Sequence, residues 1–462
     1  MATEIARKKH ITLEELREHN SPSDLWISIH DKVYDLTHWI RDHPGGGIPL
    51  LNLAGQDATD PFTALHPPSA WKHLDRFFIG YHLSNNQISD LSKDYQLLIS
   101  DFTKLGLFEQ KGHVILLTLC IIFALFSIAV FFVIGTTILC AHVAAGILIG
   151  FIWTQSGWVA HDTGHATIML TPWFNRITQL FCANCLTGVS IGWWKRTHNA
   201  HHVACNSLDF DPDLHHIPIF AVSSELFNTL TSYFYERKMR YDTIAKTLIS
   251  HQHWTFYPVM CFARLNLFAQ SIVLLLWNKN VPNRFQEILG VMVFWVWYSY
   301  LVSFLPNYGE RLLFVGACFI VTGIQHVLFC LSHFSTSVYV GQPQGDEWCK
   351  VQATGSLNIR CLPWMDWFYG GIQFQVEHHL FPRLPRCHLR RIAPLVRELC
   401  KKHKLQYPSI GFCEANRRTL ATLKDIALQA RNMEVSGARN LVWDALNTFG
   451  LYIYIYIYIY VM

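Results

Sequence analysis

The 462-residue sequence predicts two joined parts, a small soluble α+β domain at the front and an α-helical membrane body of four spans behind it. Three observations carry this expectation. Half of the residues (51%) are hydrophobic and only 15% are charged, against roughly 25% charge in an average soluble domain. The apolar residues gather into long runs after residue 112, whereas the first 95 residues are polar and mixed. Histidine is abundant, at 25, and much of it is bunched. Such a composition excludes a disordered chain, a fibrous protein and a simple soluble enzyme.

The front domain is expected over residues 1–95. Its first residues, MATEIARKKHITLEEL, contain no apolar core, so no cleavable signal peptide is expected and the first long apolar run acts as the insertion signal. Thr12 and Glu15 form a capping box that starts a helix over 13–19. Residues 25–29 and 32–36 read as short strands joined at His30-Asp31. The key string is His43-Pro44-Gly45-Gly46, with His66 further on. Two histidines on one haem iron leave no open position, so such a site moves electrons and binds no oxygen. The glycines let the backbone pass close to a flat macrocycle. Read alone, the string is also compatible with a turn bearing an exposed histidine. With Val33-Tyr34-Asp35-Leu36-Thr37, Trp39 and Asp57-Ala58-Thr59-Asp60-Pro61-Phe62 around it, residues 8–84 closely resemble cytochrome b5. The resemblance implies haem b with His43 and His66 as axial ligands. The remaining histidines here, among them His10, His19, His30, His38, His73 and His82, are left as surface or packing residues.

Residues 96–112 read as a linker helix. The spans are expected at about 113–135, 137–158, 285–305 and 312–331, each long enough to cross ~30 Å of hydrocarbon. A further apolar run, 257–277, contains Arg264, Asn266 and Gln270. Charge within a span is costly, and the histidine clusters must meet on one face. The run is therefore assigned to the membrane interface, as is 177–194. Lys195, Arg196, Lys279, Arg284 and a basic helical stretch near 383–404 then share the cytosolic side. Residues 1–95 hold 9 Lys/Arg and 13 Asp/Glu, a net −4, and the rest carries +8. That asymmetry fits a steered partner for the front and anionic headgroups for the body. The 13 cysteines are scattered. Cys182 and Cys185 lack a second pair, so neither a disulfide framework nor a zinc site is expected.

Three histidine clusters define the body: His161-Asp162-Thr163-Gly164-His165, His198-Asn199-Ala200-His201-His202 and Gln375-Val376-Glu377-His378-His379. On a helix, residues three and four apart share a face, so seven imidazoles on converging helices can hold two metal ions. Imidazole suits Fe, Zn or Cu. No HExxH motif is present, which excludes that class of zinc protease, and the Glu-x-x-His pairs of carboxylate-bridged di-iron bundles are missing. A histidine-only site fed by a haem domain points to oxygen activation.

The clusters resemble the three histidine boxes of membrane desaturases, and Gln375 together with the front domain resembles the front-end desaturases. The similarity runs to about residue 450. It implies two non-haem Fe ions held by His161, His165, His198, His201, His202, His378 and His379, with Gln375 at or near the metal. His333 is an extra metal candidate at the end of the last span. Asp162 and Asn199 are candidates to orient ligating imidazoles. His326, His215 and His216 are expected to be packing, supporting or surface residues, and Trp153, Trp193 and Trp194 an interfacial belt. The wider strings 193–202 and 374–382 look most like plant sphingolipid Δ8 long-chain-base desaturases. The resemblance implies O₂-dependent desaturation of a long-chain lipid. It also implies electrons from NADH-cytochrome b5 reductase and an endoplasmic reticulum membrane location with haem and boxes facing the cytosol. Nucleic acid is not an expected partner. An acyl-lipid Δ6 desaturase, a cytochrome b5-fused lipid hydroxylase and a non-enzymatic membrane electron carrier are the alternatives. Gln375 speaks against the hydroxylase, and the complete set of boxes against the carrier.

Residues 451–462, LYIYIYIYIYVM, stand apart. Both faces of such a strand are apolar, an aggregation-prone composition. A TA dinucleotide repeat encodes alternating Tyr and Ile, so the family-like chain is expected to end near Gly450.

Overall fold

A computed structural model describes residues 10–83, 88–109, 111–166 and 168–434. The tail at 451–462 lies outside the described residues. The front domain is a five-stranded sheet of β1 (His10–Ile11), β2 (Asn20–Ser21), β3 (Asp24–Ile29), β4 (Lys32–Asp35) and β5 (Phe78–His82), in the order β1-β5-β4-β3-β2. β1 runs parallel to β5, and the other pairs are antiparallel. The expected turn between β3 and β4 is present, with φ of 47° at His30 and 58° at Asp31, the backbone of a two-residue hairpin. Helices α1 (Leu13–Glu18), α2 (Gly47–Asn52), α3 (Thr59–Leu65) and α4 (Pro68–Leu74) complete the domain. Thr12 caps α1 as expected, accepting the Glu15 amide at 3.2 Å.

The linker begins earlier than expected. α5 (Asp90–Lys104) crosses the boundary placed at residue 95. The reason is packing: Tyr95 is fully buried and donates its hydroxyl to the Leu380 carbonyl at 2.6 Å, among Phe102, Trp348 and Phe381. The helix thus belongs to the core of the body.

Five described helices are long and apolar enough to cross a membrane, one more than the four expected. After α6 (Gly112–Gly135) and α7 (Leu139–His165) come α8 (Pro172–Gln179), a π-helical segment Leu180–Leu186, α9 (Ile191–Ala204) and α10 (Thr243–Ile249). The extra long helix is α11 (Gln252–Trp277), followed by α12 (Arg284–Ser303) and α13 (Tyr308–His333). Arg264 does not mark α11 as unfit for an apolar setting. The side chain turns inward, 2% exposed, with its guanidinium 4.7 Å from the Trp153 ring centroid and a hydrogen bond of 3.1 Å to the Thr187 carbonyl. Both ends of α11 meet elements of the histidine side. Gln252 bonds Ala221 and Leu423, and the loop after α11 brings Val281 against Gly192, in the first turn of α9.

α7 and α13 lie side by side because α7 carries glycine at three of their close contacts. A Cβ on Gly146 would sit 2.5 Å from the Phe314 carbonyl oxygen, one on Gly150 2.6 Å from that of Cys318, and one on Gly157 2.6 Å from Gln325 Nε2. Small residues four apart permit this approach of membrane helices. α14 (Trp348–Thr354), α15 (Asp366–Tyr369), α16 (Gln375–Leu380), α17 (Leu389–Lys402) and α18 (Phe412–Asn432) form the cap over the histidine-bearing ends.

The tryptophan belt is not observed. Trp153 is fully buried among Phe268, Phe294, Tyr298 and Phe319. Trp193 donates to Gln270 at 2.9 Å, and Trp194 packs on His161, His165 and His198. The π-segment that carries Cys182 and Cys185 packs against α12, and all 13 cysteines are free.

Candidate functional site

In the front domain, the rings of His43 and His66 face each other with centroids 5.8 Å apart. His43 Nδ1 lies 2.6 Å from the Gly46 carbonyl, and His66 Nδ1 lies 3.2 Å from the Phe62 carbonyl. Each bond keeps the proton on Nδ1 and leaves the Nε2 lone pair free, the state an axial ligand needs. Burial lowers the pKa of both rings, His66 to about 4, which favours the neutral form. Gly45 cannot be replaced freely, since a Cβ there would lie 2.8 Å from His43 Cε1. These residues fit a haem with two histidine ligands.

The three clusters meet on one side of the body. α7 runs unbroken from its apolar stretch into His161 and His165. α9 carries His198, His201 and His202. Ser190 caps it, accepting the Trp193 amide at 3.0 Å, while the buried Glu287 carboxylate accepts the Gly192 amide at 3.1 Å. That negative charge sits at the positive end of the helix. α16 carries Gln375, His378 and His379. It is pinned by Asn358, which accepts the Val376 amide at 2.9 Å and donates to Glu377 at 2.8 Å. Burial pushes the Glu377 carboxyl up to about 7, and Tyr407 donates its hydroxyl to it.

The imidazoles sort into two groups. One comprises His161, His165, His198 and His378; the other comprises His201, His333 and His379, with Cys205 nearby, and each group's ligand atoms lie within 4.8 Å of one another. His202 joins the first group, with Nε2 3.1 Å from both His198 Nε2 and His378 Nε2. Gln375 joins the second, with its amide 3.0 Å from His333 Nε2 and 3.3 Å from His379 Nε2. His198 and His165 approach Nε2 to Nε2 at 3.0 Å, and His201 and His379 at 3.3 Å. A first-row metal bonded at ~2.1 Å to two nitrogens at right angles holds them ~3 Å apart. His161 Nε2 is buried without a hydrogen-bond partner. The donor set and its spacing fit two metal ions.

The opposite edges of several rings are tied. His201 Nδ1 meets Asp211 at 2.8 Å, His379 Nδ1 meets Gln352 at 2.7 Å, and His333 Nδ1 meets the Gly355 carbonyl at 3.0 Å. His161 Nδ1 lies 3.3 Å from Asp162, which also pairs with Arg386. Such acceptors fix the tautomer of a ligating histidine. Burial first, then neighbouring imidazoles, hold His198, His202, His378 and His379 well below the usual range. Neutral rings are what a metal requires. Burial also acts strongly on His201, but Asp211 and Asp213 outweigh it and raise the group to about 9.

Of the expected supporting residues, Asp162 stands beside an imidazole as anticipated, whereas Asn199 does not. Its amide points away from the clusters to the Gly45 carbonyl of the front domain, 3.3 Å away. His333 lies within the second group. His326 bonds the Met260 carbonyl at 3.0 Å, and His215 is buried with Nδ1 3.0 Å from the Ser232 hydroxyl, away from both groups. Sequence reasoning passed over Asp211, Gln352 and Arg386. For Asp211, the run of acids in the string DFDPD at 209–213 is the one signal the sequence carries.

Comparison with known proteins agrees with this geometry. The cytochrome b5-like haem/steroid binding domain profile matches residues 12–83, and the fatty acid desaturase profile matches residues 138–411. The acyl-lipid (9-3)-desaturase of Borago officinalis is 53% identical over 450 residues, covering 97% of this chain and 100% of that protein. The Δ(8)-fatty-acid desaturase 2 of Arabidopsis thaliana is 54% identical, covering 96% and 99%. The Δ(8)-fatty-acid desaturase of Helianthus annuus is 53% identical, covering 96% and 97%. With both profiles in sequence and relatives matched along nearly their whole length, the chain belongs to the fatty acid desaturase family and carries a cytochrome b5-like domain at its front.

Proposed function

We propose that this oxidoreductase introduces a Δ8 double bond into sphingolipid long-chain bases such as sphinganine or phytosphingosine, using O₂ and electrons relayed through its own front domain. The observation that carries the chemistry is the pair of converging imidazole groups beneath a docked haem-type domain. The Δ8 assignment is supported by the plant relatives that bear that name.

In this reading His43 and His66 hold haem b. His161, His165, His198, His202 and His378 hold one iron, and His201, His333 and His379 hold the other, with Gln375 beside it. No side chain of ordinary pKa removes hydrogen from an unactivated methylene, so the bound irons supply the oxidising power. Asp211, Gln352 and the Gly355 carbonyl keep Nδ1 protonated on His201, His379 and His333 and so aim each Nε2 inward. Trp194, lying on three ligand rings, limits how far they can turn.

Four spans, α6, α7, α12 and α13, place all boxes on one side, with α11 along the interface. The contacts at both ends of α11 support that topology. The haem and the boxes then face the cytosol of an endoplasmic reticulum membrane, where NADH-cytochrome b5 reductase is the electron donor.

A second reading, desaturation of an acyl lipid, is favoured by the equal identity to the Borago acyl-lipid enzyme. Expression in a host that makes saturated long-chain bases and fatty acids, followed by lipid analysis of both, separates the two. New Δ8 bases are expected. Unsaturation confined to acyl chains would replace the proposal with the second reading. Neither product, from protein carrying haem and two non-haem irons, would sink both.

A further inference from the structure

Two contacts between the front domain and the body each join a haem-ligand segment to a histidine-box segment. Asn199 lies between His198 and His201 on α9. Its amide donates to the Gly45 carbonyl at 3.3 Å, two residues after His43. Arg383 lies four residues after His379. Its Nε donates to the Ala64 carbonyl at 3.0 Å and its Nη2 to the Thr63 carbonyl at 3.3 Å, at the end of α3 just before His66. The guanidinium rests over the Phe108 ring, 5.1 Å from the centroid.

Around these two bonds the interface is apolar or bonded through the backbone. Val203 of α9 is 1% exposed and packs within the front domain's own core. Gln342 donates to the Asn52 carbonyl at 3.1 Å, and the Gly345 amide donates to Gln56 at 3.1 Å. A Cβ on Gly345 would strike the Asp57 carbonyl oxygen at 1.8 Å. A domain that visits only transiently is steered by complementary surface charge. Here a neutral amide, one guanidinium bonded to main-chain carbonyls with no carboxylate partner across the interface among these contacts, and a buried valine make the contact.

We infer that Asn199 and Arg383 are positioning residues for electron transfer. They clamp the two haem-ligand segments against the second and third histidine boxes, so that electrons cross within one chain. The inference rests on the desaturase reading. Between His43 and His198 the route is covalent apart from one hydrogen bond. It runs through Pro44 to the Gly45 carbonyl, across to the Asn199 amide, and along one peptide link to His198. In each transfer a haem iron goes from Fe²⁺ to Fe³⁺ and a non-haem iron from Fe³⁺ to Fe²⁺, with no bond made or broken. An external reductant, dithionite in the test below, supplies the electron.

The test uses the full-length chain loaded with haem and iron, as wild type and as Asn199→Leu and Arg383→Gln. Each protein is reduced anaerobically with dithionite and mixed with O₂ and lipid substrate, and oxidation of the haem band is followed by stopped flow. Haem midpoint potential and non-haem iron are measured alongside. Both variants should keep the wild-type spectrum, potential and iron content, while haem oxidation slows severalfold, since electron tunnelling falls steeply with the separation that the clamp sets. Wild-type oxidation rates in both variants would overturn the clamp. So would iron loss in Asn199→Leu with a wild-type rate in Arg383→Gln, because Asn199 would then act on the imidazoles. Should Asn199→Leu fail to fold, Arg383→Gln decides alone, being on a separate segment. A wild-type haem that O₂ and substrate leave reduced would refute the desaturase reading itself and the clamp with it. Product formation with unchanged variant rates would refute the clamp alone.

Discussion

Removing the carboxylate of Asp211 should loosen one metal and spare the haem. Asp211 is fully buried. Its Oδ2 accepts from His201 Nδ1 and from the Asn206 amide, each at 2.8 Å, and its Oδ1 accepts from the Asp213 amide at 2.9 Å. A metal on His201 Nε2 obliges the proton to sit on Nδ1, whereas the metal-free ring is free to choose the other tautomer. In Asp211→Ala the loss of the acceptor therefore falls mainly on the loaded state. A buried donor left unpaired costs about 1–3 kcal/mol, or roughly 5–150-fold in metal affinity. That range brackets the 10–100-fold typical for partners of ligating histidines. The assay is non-haem iron per haem after equilibration with graded Fe(II) chelator buffers, the haem serving as an internal standard. One iron should be lost at chelator strengths that wild type withstands. Asp211→Asn, which keeps an acceptor oxygen, should fall between the two. Retention of both irons at wild-type affinity in Asp211→Ala would refute the assignment of His201 as a ligand held through Asp211.

Gly45→Ala should weaken haem retention by the ~1–3 kcal/mol of an overpacked contact, because the new methyl would meet His43 Cε1 at 2.8 Å. Haem transfer to an apoprotein acceptor measures it, and an unchanged transfer rate would count against His43 as a ligand. Gln375→His should lower turnover by about 10-fold or more while haem binding stays normal, since the Gln375 amide lies within 3.3 Å of two candidate ligand nitrogens; wild-type product levels would remove its assigned importance. Asp60 gives a pH prediction. Burial raises the pKa of its carboxyl in the folded chain, opposed by hydrogen bonds from Gln96 and Ser92. A carboxyl raised on folding favours the folded state below its unfolded pKa, and that contribution is lost as pH rises through the folded value. Asp60→Asn should therefore melt later than wild type at pH 7, with the difference closing toward pH 4, as followed by the haem band.

The local chemistry of the front domain was legible because short-range rules govern it. Thr12 and Glu15 marked the first helix, and His30-Asp31 marked the hairpin. His43 and His66 carry their own backbone acceptors within four residues. The histidine boxes were legible for a similar reason, since helical spacing alone puts His198, His201 and His202 within one turn or so of α9. What sequence spacing could not reveal was which acceptor lies behind each ring. Gln352 is 27 residues from His379, and Gly355 is 22 from His333. Arg264 shows the same limit, because a charge in an apolar run is costly only if it faces lipid, and its inward turn onto Trp153 is a tertiary fact. Asn199 misled because it sits among the candidate ligands His198, His201 and His202 in sequence, while its neighbour in space is the other domain.

The glycines of α7 act as the gauge of a centre they never touch. His161 and His165 end α7, and His333 ends α13, so the separation of those two helices sets how far apart the two ligand groups stand. That separation is decided at Gly146, Gly150 and Gly157 by the absence of a methyl group. Gly150 lies eleven residues before His161, about 16 Å along the helix axis. An alanine there would wedge α7 from α13 and splay the imidazoles at their ends. The spacing of the two imidazole groups is thus set by empty space between two apolar helices.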